Sequence, residues 1–327
     1  MRLALYRYRL PLTRPLMPGD AQPGKREGPT QKSPIREGLL LEIDGQWGEI
    51  APLPGFSRES LDEAEAESLA CLEALARGRA IAPRLPSVSF GFDCALRRWP
   101  PAVATPPEPC PLLQGPPLEL LAGLDDLART WETAAVRKAK LKVARHVPQD
   151  ELTLIRRLTE RFPALMLVLD ANGGWSRAQA LAFCSRLPVE RIDYLEDPCG
   201  DFADSAAVAA ASGVRIAVDE PLARGLPWHP VPQLAALVIK PTLVGSLARC
   251  EALVREARRL GLRTVVSSSF ESDLGLGLLA RLAAEWAPDE PPGLDTRRWL
   301  AKGLLAPNGL PERDALIRLH RSDGHHE

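Results

Sequence analysis

The sequence predicts an α/β protein in two parts: a small α+β domain, then a closed β/α barrel. Three observations carry this. Short apolar runs alternate with helical stretches through the last two thirds of the chain, which implies parallel strand pairing. The runs also recur at a steady interval: Lys142 to Asp170 is 28 residues, to Glu196 a further 26, to Asp219 a further 23, and to Lys240 a further 21. Such a period, repeated near eight times, fits a barrel better than an open sheet. Finally, the runs finish in polar side chains: Lys142, Asp170, Glu196, Asp219, Lys240, Ser267–Ser269 and Asp295. In a β/α barrel those C-terminal strand ends form the one face that carries chemistry.

The elements follow in order. Tyr6, Tyr8, Leu10 and Leu12 alternate with Arg7, Arg9 and Pro11, the pattern of a half-buried strand. Residues 17–34, rich in Gly, Pro and charge, read as a long loop, and loops of that length are usually functional lids or disordered. "GLLLEIDGQWGEI" reads as a hairpin turning at Asp44-Gly45. Helix follows from Ser60, with a Ser60/Glu63 capping box and Gly78 near its end. "PPAVATPPEPCP", Pro100 to Pro111, reads as a linker. Beyond it come the strand runs "CPLLQG", "AKLKV", "LMLVLD", "IDYLED", "RIAVDE", "AALVIK", "RTVVSSS" and a weaker one ending in "PGLDT". The expected division is 1–105 for the first domain, 106–300 for the barrel, and 301–327 for a C-terminal segment.

Composition narrows the class. With 41 basic and 42 acidic residues, a net charge of −1 leaves no footprint for nucleic acid or membrane. The expected partner is a small-molecule carboxylate, and the expected state a monomer or weak homo-oligomer. No apolar run approaches the ~20 residues of a membrane helix, and arginines interrupt the N-terminus too early for a signal peptide. A cytoplasmic protein is therefore expected. The six cysteines show no CxxC and no close pair, which favours packed thiols; Cys199 in "EDPC" is read the same way. The five histidines have no ligand spacing, and "DGHHE" reads as a tail.

Lys138, Lys140 and Lys142 alternate in "RKAKLKVARH". Taken alone, the stretch reads as a solvated edge strand, since edges often carry lysine. The strand-end pattern reverses that reading. Asp170, Glu196 and Asp219 should converge in the barrel mouth, where three carboxylates cannot all stay ionised without a cation. Oxygen ligands alone, with no His or Cys, suit a hard ion such as Mg²⁺. Lys140 and Lys142 stand on one wall and Lys240 on the other, so the lysine face points into an anionic site. Lys138, nearer the strand start, should face elsewhere or form a salt bridge. A free lysine, at about 10.4, must fall by roughly 3 units to act as a base at neutral pH. A metal that grips a carboxylate beside such a lysine suggests proton abstraction α to that carboxylate.

These motifs resemble the enolase superfamily, in its muconate-lactonizing-enzyme-like subgroup, and within it the o-succinylbenzoate synthase family of menaquinone biosynthesis. The likeness spans "WGEIAPLPGFS", "PSVSFGFDCAL", "KLKV", "LDAN", "LEDPC", "IAVDE", "VIKPTLVGSL", "SSSFESDLGL" and "GLDT", in this order and spacing. It implies an enolase-type architecture, a modified (β/α)7β TIM barrel with an α+β capping domain on which the 301–327 segment packs back. It implies Mg²⁺, replaceable by Mn²⁺, on Asp170, Glu196 and Asp219. Lys142 would take the α proton of 2-succinyl-6-hydroxy-2,4-cyclohexadiene-1-carboxylate and assist syn loss of water through a metal-stabilised enediolate. Lys240 would act electrostatically from the opposite face. Lys140 would orient a carboxylate and lower the pKa of Lys142. Asn172, Ser268 and Gly293 are implied substrate contacts. Gly24, Lys25 and Arg26 of the first loop, with Pro54 and Phe56, would form a lid. Three features depart from the pattern: a longer first loop, two glycines after Asn172, and Val168 where some members carry arginine.

Other readings remain at this point. Two lysines facing across one metal also serve an N-acylamino-acid racemase or a dipeptide epimerase. The epimerases would be expected to carry Asp-x-Asp on the last strand, where "GLDT" offers Asp295 alone. A Schiff-base aldolase would leave the three acids without a shared purpose. A barrel used only for binding would predict a lost ligand or base.

Overall fold

The computed structural model describes residues 1–16, 34–99 and 107–323. Gly24, Lys25 and Arg26, with most of the expected lid loop and part of the Pro-rich linker, lie outside the described residues. The chain opens with β1 (Arg2–Pro11), β2 (Ile35–Ile43) and β3 (Gln46–Ile50). The β2–β3 turn falls at Asp44-Gly45, both residues in the left-handed region at φ 48° and 86°. Two helices follow, α1 (Leu61–Ala76) and α2 (Pro86–Leu96). The Ser60 hydroxyl accepts from the Glu63 N–H while the Glu63 carboxylate accepts from the Ser60 N–H, so the capping box forms in both directions.

β1 buries both faces over its first half. Leu3 and Leu5 pack with Leu39, Leu41 and Ile50 under α1 and α2, while Tyr6, Tyr8 and Leu10 turn toward the barrel. The half-buried pattern read from Tyr6 onward is therefore incomplete, because the sheet lies between its own helices and the barrel.

The barrel strands are β4 (Leu112–Leu113), β5 (Lys138–Lys142), β6 (Met166–Asp170), β7 (Ile192–Glu196), β8 (Ile216–Val218), β9 (Leu234–Ile239) and β10 (Arg263–Val266). They pair in sequence order, all parallel, as one curled sheet. The helices between them are α3 (Pro117–Ala122), α4 (Leu124–Thr133), α5 (Pro148–Arg161), α6 (Arg177–Cys184), α7 (Phe202–Ser212), α8 (Glu220–Arg224), α9 (Pro241–Val244) and α10 (Leu247–Arg259), with α11 (Asp273–Trp286) after β10. The weak "PGLDT" run fills the gap between β10 and β4. Ser267 bridges Gly293, and the Cys110 N–H donates to the Pro292 carbonyl at 2.8 Å. This is a modified (β/α)7β barrel whose last strand is reduced to a single bridge.

Val168, Tyr194, Ala217, Ala236, Val238 and Val265 fill the barrel interior below the mouth. In β7 the register with β6 skips Asp193, a bulge that turns its carboxylate into an ion cluster. Asp193 pairs with Lys138 at 2.9 Å and Arg263 at 2.8 Å, and Lys138 also pairs with Glu290. Lys138 therefore salt-bridges at the far end from the mouth. The chain returns in β11 (Leu316–Asp323), antiparallel to β1, giving a four-stranded sheet in the order β11-β1-β2-β3.

Glu49, on β3, docks this sheet to the barrel. Its buried carboxylate accepts from the Tyr8 hydroxyl at 2.6 Å, and from the Ser272 N–H (2.9 Å), the Ser272 hydroxyl and the Gly275 N–H (2.8 Å) at the start of α11. A helix of one domain is thus capped by a side chain of the other. Buried Arg36 of β2 adds donors to the carbonyls of Ala51 and Phe270.

Candidate active site

Parallel strands place their C-terminal ends on one rim, and β5 to β9 each bring one charged side chain to it. β5, β6 and β7 terminate in Lys142, Asp170 and Glu196, while Asp219 and Lys240 directly follow β8 and β9. The loops beyond are braced to one another. The Asp197 carboxylate accepts the N–H groups of Asp219 (3.2 Å) and Glu220 (2.7 Å), which fixes the peptide carrying Asp219. Asn172, left-handed at φ 47°, donates its N–H to Asp170 Oδ1 at 3.1 Å.

Asp170, Glu196 and Asp219 are buried, with one oxygen from each lying within 4.8 Å of the others. Lys140 reaches Asp170 at 2.7 Å and also Glu196. Lys142 donates to Asp170 at 2.6 Å and to Asn172 Oδ1 at 2.7 Å. Lys240 pairs with Asp219 from the opposite wall. Asp219 Oδ1 is buried with no hydrogen-bond partner among the described residues. An orphaned buried carboxylate oxygen beside two more acids is an acceptor set that fits a hard divalent cation.

The electrostatics separate the three lysines. Burial, reinforced by Lys140, Lys240 and Arg145, lowers the Lys142 ammonium from its ordinary value, against the pull of Asp170. Burial acts the same way on Lys140, but Asp170, Glu196 and Asp219 outweigh it and raise that amine well above the ordinary value. Lys240 is raised too, by Asp219 and Glu220. Among the acids, burial pushes Glu196 up to about 8, with Asp170 and Asp219 adding to it. Asp170 goes the other way: despite its burial, the three lysines hold it well below the carboxylate range. Without added positive charge the trio cannot all ionise, which again favours a cation.

Above these groups is a cavity of about 710 Å³, its open mouth included. Lys140, Lys142, Asn172, Lys240, Ser268 and Gly293 line it, as does Phe56 at the rim. Pro54 lines an adjoining groove instead. The Ser268 hydroxyl lies 2.9 Å from Thr296 Oγ1. Val168 sits below the cavity in the apolar interior layer. The two glycines after Asn172 have a steric reason. A Cβ on Gly174 would come within 2.9 Å of the Ala144 Cβ, and one on Gly173, itself left-handed, within 3.2 Å of Gly200. Cys199 is buried and free, as are the other five cysteines.

The sequence reading missed Arg145. It lines the cavity and donates to Asn172 Oδ1 at 3.0 Å. Its signal was position alone, three residues past a strand-end lysine on the catalytic rim. It also missed Glu220, which accepts from Asn172 Nδ2 at 2.8 Å. Among the described residues, no helix is long and apolar enough to cross a membrane.

Comparison with known proteins gives the family. Residues 1–99 match the family profile "MenC, N-terminal domain", and residues 123–324 match "Enolase C-terminal domain-like". The o-succinylbenzoate synthase of Yersinia enterocolitica is 42% identical over 277 residues, covering 81% of this chain and 84% of that protein. That of Haemophilus influenzae is 37% identical over 308 residues, covering 89% and 88%. Among solved structures, an o-succinylbenzoate synthase from Thermosynechococcus elongatus, complexed with Mg in its active site, superposes with a TM-score of 0.68 at 26% identity, covering 93% and 96%. The L-Ala-D/L-Glu epimerase of Bacillus subtilis superposes with a TM-score of 0.69 at 19% identity, covering 94% and 92%, a likeness of fold. The chain belongs to the o-succinylbenzoate synthase family, hydro-lyases of the enolase superfamily.

Proposed function

We propose that this enzyme dehydrates 2-succinyl-6-hydroxy-2,4-cyclohexadiene-1-carboxylate to 2-succinylbenzoate in menaquinone biosynthesis, with Lys142 as the base. The observation that carries the mechanism is geometric: Lys142 and Lys240 stand on opposite walls of one cavity, each against a member of the buried acid trio, and Asn172 Oδ1 holds the Lys142 amine. Burial and the neighbouring cations lower Lys142, which suits it to accept a proton.

Asp170, Glu196 and Asp219 would hold a Mg²⁺ ion, which supplies fixed positive charge to the ring carboxylate as the α proton leaves. Lys142 takes that proton from C1, and the C–H electron pair moves onto the carboxylate that C1 bears. Lys240 faces the negative charge that develops there, from the other wall. The pair then returns to form the C1–C6 double bond as the C6–O bond breaks, and the departing hydroxide takes the proton from the Lys142 ammonium. Water and an aromatic ring result, and Lys142 is again neutral. Lys140, held by Asp170 and Glu196, keeps those carboxylates in place and disfavours charge on Lys142. Asn172 orients Lys142 through Oδ1. Phe56, Leu53 and Leu16 would exclude water at the rim. Asp295, which an epimerase would need for a substrate ammonium, is occupied by the Leu112 N–H at 2.8 Å and by Arg298.

The test is an ultraviolet assay of purified protein with the diene, in Mg²⁺ and in EDTA. Metal-dependent loss of the diene absorbance is expected. No conversion by folded, metal-loaded protein would sink the assignment.

A further inference from the structure

The proposed substrate carries two carboxylates. One is on the ring carbon that loses its proton; the other ends the succinyl arm on the adjacent ring carbon. The metal and the lysines account for the first. Resting on the synthase reading, we infer that Arg145 is the receptor for the second, the distal succinyl carboxylate, and so sets specificity for a dianionic substrate.

Among the described residues four cations line the cavity, and three are neutralised within it. Lys140 pairs with Asp170 and Glu196, Lys142 with Asp170, and Lys240 with Asp219. Arg145 is the fourth; among the described residues it makes no ion pair, and its guanidinium has one hydrogen bond, to the neutral amide oxygen of Asn172. A half-buried guanidinium with free donors, turned into a cavity, is a carboxylate site by its chemistry. Lys142 donates to that same Asn172 oxygen, so the base and the guanidinium stand on either side of one atom. The arm begins one bond from the carbon on which Lys142 acts, and Arg145 is the cation that shares Asn172 Oδ1 with Lys142, which makes it the neighbouring charge open to the far end of the arm.

The segment bearing Arg145 is also built to hold still. Glu151, buried in the first turn of α5, accepts the backbone N–H groups of Ala144, Arg145 and His146 at 3.1, 3.0 and 3.0 Å. Ala144 is left-handed at φ 62° and packs into the space that Gly174 leaves by having no side chain. A cation on a pinned loop is pre-organised for its ligand.

The experiment is calorimetric titration of the Mg²⁺-loaded protein with 2-succinylbenzoate and with 2-butyrylbenzoate, which lacks the distal carboxylate. Arg145→Met should weaken 2-succinylbenzoate by about 10- to 100-fold, the range for lost charge-assisted hydrogen bonds, and leave 2-butyrylbenzoate unchanged. Arg145→Gln can keep the hydrogen bond to Asn172 and should show the same selective loss, whether or not the methionine variant folds. Equal weakening of both ligands would make Arg145 a positioning residue for Asn172 and overturn the inference, as would no change in either. Failure of the synthase reading is separately visible, since the unmutated protein would then neither convert the diene nor bind 2-succinylbenzoate.

Discussion

Lys138, Lys140 and Lys142 share one face of one strand yet end in three different environments. Lys138 is tied into the floor cluster, Lys140 is clamped between two carboxylates, and Lys142 is lowered by burial and like charge. Spacing in the sequence and the strand-end acids were enough to turn Lys140 and Lys142 inward, and Lys138, expected to face elsewhere or form a salt bridge, forms one. Arg145 was not legible, because it sits on a loop whose path depends on Glu151 and Gly174, not on any periodic pattern. At this scale, Lys142→Ala should reduce kcat by at least the 10²–10⁴-fold typical of a general base, while Mg²⁺ and product binding persist. Loss of product binding alongside activity would make Lys142 a binding residue instead. In the unmutated enzyme kcat/KM should climb with pH as Lys142 loses its proton, with a midpoint below the free-lysine value of about 10.4. A midpoint at or above that value would remove Lys142 as the base.

Among elements, β7 shows what strand patterns conceal. A bulge adds one residue without changing the apolar look of "IDYLED", so Asp193 reads as an ordinary surface position. In the fold it is buried and pairs with Lys138, Arg215 and Arg263. Removing it leaves Lys138 and Arg263 with Glu290 alone and takes a partner from exposed Arg215, so Asp193→Ala should cost about 1–3 kcal/mol in denaturant unfolding. The pH dependence has a definite sign. Burial raises the Asp193 carboxyl, but Arg263 and Lys138 outweigh it and hold the group below its ordinary value. Its contribution is therefore present in full above the unfolded value of about 3.9, and is lost as pH falls through the lower folded value. The stability gap between variant and unmutated protein should narrow only in that acid window; a gap that closed near neutral pH would assign it to another group. The eighth strand was faint in the sequence for a related reason, since a single bridge at Gly293 needs no run of apolar residues.

For the whole molecule, the two-part division could be read from texture, but the joint between the parts could not. Glu49 in "WGEI" looks like any strand glutamate until α11 is placed above it. Gly275→Ala tests that joint, because a Cβ there would come within 2.3 Å of Glu49 Oε2. The substitution should displace the carboxylate, lower the thermal midpoint and raise KM more than it changes Mg²⁺ affinity. An unaltered midpoint would mean that the joint relaxes freely. Metal should act on the entire fold by mass action: Mg²⁺ at 100 times its Kd should add about 2.7 kcal/mol of stability, and EDTA should remove it. Asp219→Asn should shift that titration to much higher Mg²⁺; an unchanged curve would take Asp219 out of the ligand set.

The pairing of β11 with β1 has a consequence for how the protein is made. β1 leaves the ribosome long before its partner, because the two are separated in the chain by the whole barrel. At about 5–20 residues per second, one edge of the first sheet stays unpaired for on the order of tens of seconds. During that interval the nascent chain offers neighbouring polypeptides an open row of backbone donors and acceptors.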